Sequence, residues 1–439
     1  MLKNNHAKKL IIFGVLTEMI YLLFYFVEPL RKRFGDQALS LSNSYLFLIV
    51  IGLLLLALTL YILAFKQVVK NNIGFKEIFI FFIIFNLTLL FIWPVGSIDI
   101  FSYIGWSRVL SEHHTNPYLT AYRAFTNDAF YQQINNKWLS LPTPYGPLFT
   151  IIGSALTSIG GNSLLRSLFL FKLFFIMINA LNCLLIHKTF KNNGATFLYA
   201  WNPLILYEFS INGHSDILTI FFLLLGLYFL LRKQQKLINF ILCWTFLMLS
   251  VLIKYMTAIL LPVVFLSILF KLKRKKEKIL FVLLSFAVST IILCVFYWPF
   301  LKTENIFSVL AIYMSHPDMM RCFPPILTAI LMFLFYHLKI INYYYWSFAA
   351  GKIIFLFFYV SLLTRLFIKR KQLNRQNVIK YSCLALFVFL FTFLPWVMSW
   401  YYTILLVLLI YYSVINKFKY NKFIYGITLL GILYYIIQR

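Results

Sequence analysis

The chain has 439 residues, of which 62% are hydrophobic and only 12% are charged. A soluble globular domain is excluded, because a water-facing fold of this size has too little interior to hide so much apolar surface. The net charge of +28 would suit a nucleic-acid-binding protein, but the basic residues stand in short clusters between apolar runs, which excludes that class too.

Apolar runs of about 15 to 24 residues recur along the chain, each about long enough to cross a bilayer as a helix. They do not alternate between apolar and polar residues, as the strands of a membrane barrel would. The sequence therefore predicts an all-α, polytopic transmembrane helical bundle in one integral membrane domain, 1–439. About 13 spans are expected, at 10–28, 45–65, 78–95, 164–187, 195–209, 216–231, 237–253, 256–270, 279–298, 344–368, 381–395, 402–415 and 421–437. Two short apolar segments, 147–159 and 324–338, are predicted to be re-entrant or juxtamembrane helices.

The distribution of charge predicts the orientation of these spans. Residues 1–9 are basic and lead into an apolar stretch without a small-residue cleavage site, which indicates an uncleaved signal-anchor and a cytoplasmic N-terminus. Most of the 40 Lys and Arg residues then fall in cytoplasmic loops, although Arg31, Lys32 and Arg33 fall outside. Most of the 12 acidic residues lie near the outer face, which predicts a site with carboxylate chemistry there.

The longest polar stretch, 96–146, is predicted to be a large extracytoplasmic loop. Its residues 102–113 are expected to form a helix along the surface, with Tyr103 on its apolar face. Asp99 stands just before this helix, where a span has ended. A carboxylate that is partly desolvated at such a boundary suits a general base, whereas a helix N-cap is the alternative role, and the spacing favours neither.

A second polar group lies in 201–216. Glu208, His214 and Asp216 cluster at a predicted outer turn, where Gly213 permits the bend. Ionisable groups at the membrane boundary tend to mark substrate sites. The alternative is an ordinary turn with Asp216 as a helix cap, and two ligands such as His214 and Asp216 are weak evidence for a metal.

Isolated cations and aromatic residues near the outer face form a third group. Lys254 ends an apolar helix and Arg321 follows a later span, and each side chain can pair with a phosphate. Lys254 also fits a side chain that reaches out to the membrane interface. Trp400, in the aromatic segment 395–402, fits either stacking on a sugar ring or an interfacial aromatic belt.

The order of short motifs is more informative than any one of them. The succession is Asp99-x-x-x-Tyr103, Asn116-Pro117-Tyr118, Tyr145-Gly146-Pro147, Trp201-Asn202-Pro203-Leu204, Gly213-His214-x-Asp216, Lys254-Tyr255 and Pro262. In this order the chain resembles the GT-C superfamily of membrane glycosyltransferases, and within it the bacterial polyprenyl-phosphate-mannose-dependent mannosyltransferases. The resemblance covers roughly 90–270, and the rest of the chain mainly by its number of helices.

The resemblance implies an inverting enzyme that moves mannose or another hexose from a polyprenyl-phosphate carrier to an acceptor glycan, glycolipid or wall polymer outside the cytoplasm. It implies that Asp99 is the catalytic base. In the family this Asp follows the first span, whereas in this chain two additional predicted spans precede it. An N-terminal extension of two helices would account for the difference. Lys254 and Arg321 are expected to neutralise the departing phosphate. The residues predicted to bind substrate are Tyr103, Asn116, Tyr118, Tyr145, Glu208, His214, Asp216, Lys254, Arg321 and Trp400.

Other classes of protein share some of these features. A transporter or flippase of lipid-linked saccharides also needs intramembrane charges, but no internal repeat is recognised and the charges lie at the outer rim. A lipid-linked polymerase or ligase uses similar substrates. The expected partners are the lipid-linked donor, the acceptor and membrane lipids, without nucleic acid. No cofactor or metal ligand set is predicted, and a requirement for a divalent metal is left open.

Overall fold

The computed structural model describes residues 2–27, 44–71, 73–134, 137–301, 324–394 and 396–437. Within these ranges the chain is helical and has no strand, which confirms the all-α class. The main helices are α1 (Leu2–Val27), α2 (Ser44–Asn71), α3 (Phe75–Leu90), α4 (Asp99–Ser111), α5 (Pro147–Gly160), α6 (Leu164–Phe190), α7 (Asn193–Ala200), α8 (Pro203–Leu206), α9 (Asp216–Leu230), α10 (Leu237–Ile253), α11 (Leu260–Lys271), α12 (Lys275–Tyr297), α13 (Ile326–His337), α14 (Tyr343–Ile368), α15 (Arg375–Val388), α16 (Tyr402–Ile415) and α17 (Asn421–Ile437).

Six helices in the described ranges are long and apolar enough to cross a membrane: Lys8–Val27, Leu48–Asn71, Leu164–Phe190, Lys275–Phe300, Tyr343–Ile368 and Arg375–Phe393. Most other expected spans coincide with apolar helices of 10–17 residues, so the number of about 13 spans stays a prediction. The expected span 195–209 shows why the lengths differ. There α7 ends at Ala200, and Asn202 caps α8, because its side chain accepts hydrogen bonds from two N–H groups of the new helix. A π-helical turn, Tyr207–Ile211, then continues the chain.

The helix α4 differs from the expected surface helix at 102–113. Every residue from 100 to 109 is buried, so no face of this part of the helix is exposed. Small residues make the burial possible, because a Cβ on Gly153 of α5 would lie only 2.2 Å from Ser107 Oγ. Ser154 Oγ also donates to the Ser107 carbonyl at 3.1 Å. Ser107 of α4 therefore packs against α5 rather than facing water.

A buried lysine side chain contacts the end of α3. Lys172 of α6 donates from Nζ to the Leu89 carbonyl at 3.1 Å and to the Ile92 carbonyl. A positive charge is stabilised at a helix C-terminus, where unpaired carbonyls carry partial negative charge. Lys172 forms no ion pair with any acid in the described part of the chain. These hydrogen bonds join Lys172 to the end of α3 and hold the segment that leads from α3 to Asp99.

Candidate active site

Asp99 is the first residue of α4, and its side chain is 18% exposed. Ile98 occupies the N-cap position and forms no side-chain cap hydrogen bond, so Asp99 does not serve as the N-cap. The Asp99 N–H donates to Ser97 Oγ at 3.2 Å. A carboxylate in the first turn of a helix is stabilised by the helix dipole, which favours its ionised form.

The turn before Asp99 is held by Asn212. Its Oδ1 accepts hydrogen bonds from the N–H groups of Val95 at 3.2 Å and Gly96 at 2.9 Å. Gly96 is needed at this close approach, because a Cβ there would lie 2.4 Å from the Tyr207 hydroxyl oxygen. Asn212 is fully buried, so its amide joins the segment before Asp99 to the turn that carries His214.

The Asp99 side chain lies at a cleft with a mainly aromatic wall. The lining residues are Asp99, Trp106, Trp138, Pro144, Tyr145, Trp396, Met398, Trp400 and Tyr401. Four of the nine tryptophans of the chain therefore meet at this cleft. Trp298 and Trp346, by contrast, are 72% and 52% exposed on the outside of the bundle, as residues of an interfacial belt would be. Trp400 is one of the four tryptophans that line the cleft.

His214 lies behind this wall. Gly213, at a φ of +69°, makes the tight turn before it, in a conformation that favours glycine. The imidazole is buried and stacks on Trp400 with a centroid distance of 3.8 Å. Its Nδ1 lies 3.3 Å from the Tyr103 hydroxyl and 3.9 Å from Asp99 Oδ2. Burial, with a further contribution from Lys254, lowers the pKa of His214 well below its usual value, which favours the neutral ring.

Glu208 lies next to His214. It is fully buried, and one of its oxygens lies 3.4 Å from His214 Nε2 without the alignment of a hydrogen bond. The Tyr435 hydroxyl lies 2.9 Å from both carboxylate oxygens, and Asn212 Nδ2 donates to Oε2 at 3.2 Å. Glu208 and His214 thus support residues of the cleft and do not line it themselves.

Lys254 and Asp216 form a buried ion pair beside the cleft. Lys254 Nζ lies 2.9 and 3.0 Å from the two Asp216 oxygens, and 3.9 Å from the centre of the Tyr401 ring. Asp216 is the first residue of α9 and has no exposed side-chain surface, whereas the Lys254 side chain is 13% exposed. Burial lowers the pKa of Lys254, although the Asp216 carboxylate acts in the opposite direction. Lys254 is therefore the member of the pair that can reach a ligand.

Asn116 and Tyr118 hold the segment 112–146 against the bundle. Asn116 Nδ2 donates to the Phe300 carbonyl at 3.1 Å, and the Tyr118 hydroxyl donates to the Tyr145 carbonyl at 2.9 Å. Neither side chain lines the cleft, in contrast to Tyr145. Their substrate-binding role stays a prediction.

Asp128 organises the same segment and was not singled out by its sequence. It accepts hydrogen bonds from Arg108 Nε at 3.0 Å, the Tyr122 hydroxyl at 2.7 Å and the Phe130 N–H at 2.9 Å. His113 Nε2 lies 2.7 Å from Oδ2. Burial alone would raise the pKa of Asp128, but the hydrogen bonds and the Arg108 charge outweigh it and hold the pKa below its usual value.

The structure thus brings together most of the residues expected from the sequence. Tyr103, Tyr145, His214 and Trp400 contact one another or Asp99 around the cleft. Arg321 lies outside the described residues. Within the described residues, no group of three or more His, Cys, Asp or Glu side chains is arranged to hold a metal ion.

Comparison with known proteins gives two matches. A family model described as alpha-(1->6)-mannopyranosyltransferase, N-terminal domain, matches residues 27–270. An alpha-(1->6)-mannopyranosyltransferase of Mycobacterium tuberculosis is 26% identical over 155 residues, which cover 33% of this chain and 26% of the relative. The match thus spans about a quarter of the length of that relative. No solved structure gives a significant match.

Proposed function

Because the chain belongs to the alpha-(1->6)-mannopyranosyltransferase family, we propose that it is an inverting membrane mannosyltransferase. Its donor is a mannosyl residue carried on a polyprenyl phosphate, and its acceptor is a glycan, glycolipid or wall polymer. The transfer takes place on the extracytoplasmic side, in keeping with the basic clusters between the apolar runs on the other side. The transporter alternative has no comparable support from the family match.

The observation that carries this proposal is the position of Asp99. In the described part of the chain, it is the one carboxylate that lines the aromatic cleft, and it is partly exposed there. Glu208 and Asp216 are fully buried behind the wall. A general base must come within hydrogen-bond reach of the proton that it abstracts, and Asp99 meets this requirement for a ligand in the cleft.

The chemistry needs one base and one site for a leaving phosphate. Asp99 takes the proton of an acceptor hydroxyl while the hydroxyl oxygen bonds to C1 of the donor sugar. The bond between C1 and the phosphate oxygen breaks, and polyprenyl phosphate leaves with the electron pair. Attack opposite the leaving group inverts C1, and the phosphate is a sufficiently good leaving group to need no acid.

Lys254 is the residue that we assign to the phosphate. Its ammonium group lies beside Tyr401 and Tyr145, two residues of the cleft wall. In a site that excludes water, a preorganised cation stabilises the charge that develops on the leaving group. Trp400 lines the cleft and offers its ring to a sugar.

The test compares purified wild type, Asp99→Asn and Glu112→Gln with radiolabelled polyprenyl-phosphate mannose and a membrane acceptor fraction. Asp99→Asn is expected to lose roughly 10²–10⁴-fold in transfer rate, because an amide cannot take the proton. Glu112→Gln makes the same change of charge at the C-terminal end of α4, away from the cleft, and is expected to transfer normally. If Asp99→Asn transfers mannose as fast as the wild type, another residue is the base. Transfer from a nucleotide sugar alone would reject the lipid donor.

A further inference from the structure

Glu208 is a buried carboxylate whose only ion-pair partner within the described ranges is His214. Burying a carboxylate without a cation is costly unless hydrogen bonds compensate. Tyr435 lies 2.9 Å from both of its oxygens and is the nearest donor. A buried group that needs this compensation is expected to have a function beyond packing.

Tyr435 reaches Glu208 from the last helix of the chain, α17. This helix lies outside the family match, which ends at residue 270. The Tyr435 ring packs edge-on against Tyr207, and a Cβ on Gly96 would lie 2.9 Å from its Cε1. The side chain therefore contacts both the turn before Asp99 and the carboxylate next to His214.

The hydrogen bonds around His214 have one consistent direction. The Tyr145 hydroxyl donates to the Tyr103 hydroxyl at 3.3 Å, which leaves the Tyr103 proton for His214 Nδ1 at 3.3 Å. Nδ1 is then an acceptor, and the imidazole proton belongs on Nε2, which faces Glu208 at 3.4 Å. A carboxyl oxygen of Glu208 thus lies where a carboxylate stands when it orients a catalytic or metal-binding histidine.

We infer that Tyr435 is a positioning residue of the transferase site, which acts by holding Glu208 against His214. Glu208 keeps the imidazole proton on Nε2, and His214 then accepts the Tyr103 hydroxyl and packs against Trp400. These contacts set the wall of the cleft on which Asp99 stands. The inference rests on the proposed function for the role of Asp99.

Two neighbouring tyrosines provide a matched test. Tyr435→Phe removes the hydroxyl that binds Glu208, and Tyr434→Phe removes the hydroxyl of an equally buried side chain that donates instead to the Pro324 carbonyl at 3.2 Å. Tyr435→Phe is expected to lower kcat about tenfold, as the loss of an outer-shell partner does, with little change in the KM for polyprenyl-phosphate mannose. Tyr434→Phe is expected to keep both constants. Equal kcat values for the two variants would overturn the inference.

Two further measurements keep the inference falsifiable. In Glu208→Gln, kcat should fall to a similar extent and Tyr435→Phe should add no further loss, whereas additive losses would contradict a shared role. Nitrogen-15 NMR of His214, assigned with His214→Gln, should show the proton on Nε2 in the wild type and a changed proton distribution in Tyr435→Phe. An identical spectrum in both would overturn the inference. Because this readout needs no turnover, it judges Tyr435 even if the wild type transfers no mannose and the proposed function fails.

Discussion

The buried pair of Lys254 and Asp216 permits a test that separates folding from catalysis. Lys254 Nζ contacts both Asp216 oxygens, and the Asp216 side chain has no exposed surface. Lys254→Met would leave this carboxylate buried without its cation. Breaking a buried pair in this way costs about 3–5 kcal/mol of the free energy of unfolding. Asp216→Asn should cost less, because the Lys254 side chain is 13% exposed and its ammonium can turn towards water.

The double variant Lys254→Met/Asp216→Asn is the decisive one. It removes both charges, so most of the lost free energy of unfolding should return. Transfer from polyprenyl-phosphate mannose should nevertheless stay low, because the cation for the departing phosphate is gone. Lys254→Arg is the matched variant that keeps the charge, and it should retain more activity than the double variant.

Denaturant unfolding in detergent micelles gives the stabilities, and initial transfer rates give the activities. If Lys254→Met unfolds with the same free energy as the wild type, the buried pair does not stabilise the fold as argued. If the double variant transfers mannose at the wild-type rate, Lys254 serves only to compensate Asp216, and another group must bind the phosphate.

Two remaining predictions concern the cleft wall and the segment 112–146. Trp138→Ala should raise the KM for the acceptor glycan roughly fivefold to tenfold through the loss of one aromatic contact, whereas Trp346→Ala, 52% exposed outside the bundle, should leave it unchanged in acceptor saturation curves. Because the folded pKa of Asp128 lies below its usual value, its contribution to stability is present at neutral pH and is lost as the pH falls through about 4 and below. Hydrogen exchange in 112–134 should therefore rise on acidification in the wild type, and should already be fast at neutral pH in Asp128→Asn.

The sequence predicts the all-α class because this inference needs only the composition and the lengths of the apolar runs. It also singles out Asp99, His214 and Lys254, because a lone acid, histidine or lysine at the end of an apolar run is unusual enough to be noticed. Of the nine residues that line the cleft, however, the predicted site residues include only Asp99, Tyr145 and Trp400. The burial of Glu208 and His214 is not visible at that level. A polar turn between two apolar helices has the same sequence whether it faces water or lies under an aromatic wall.

The residues that the sequence does not reveal share one property. Tyr435 and Lys172 stand inside long apolar runs, where a tyrosine is usually packed and a lysine usually reaches the interface. Their roles depend on partners that are far away in the chain, such as Glu208 and the end of α3. Asp128 is similar, because its role depends on Arg108 and Tyr122, which both donate hydrogen bonds to its carboxylate. Only the folded arrangement shows these contacts.

The site has two layers, and each layer accounts for a different requirement of the proposed reaction. The outer layer is aromatic, so it excludes water and still offers flat faces to sugar rings. The inner layer contains Glu208, His214 and Asp216, all without exposed surface. Charges in such a place act through a low dielectric and cost little reorganisation during the reaction, because hydrogen bonds already fix them. In the described part of the chain, Asp99 lines the cleft, and the Lys254 side chain, 13% exposed, lies against Tyr401 of its wall. A base and a cation presented in this way, with the other ionisable groups kept behind the wall, would direct proton transfer and phosphate departure to one face of the bundle.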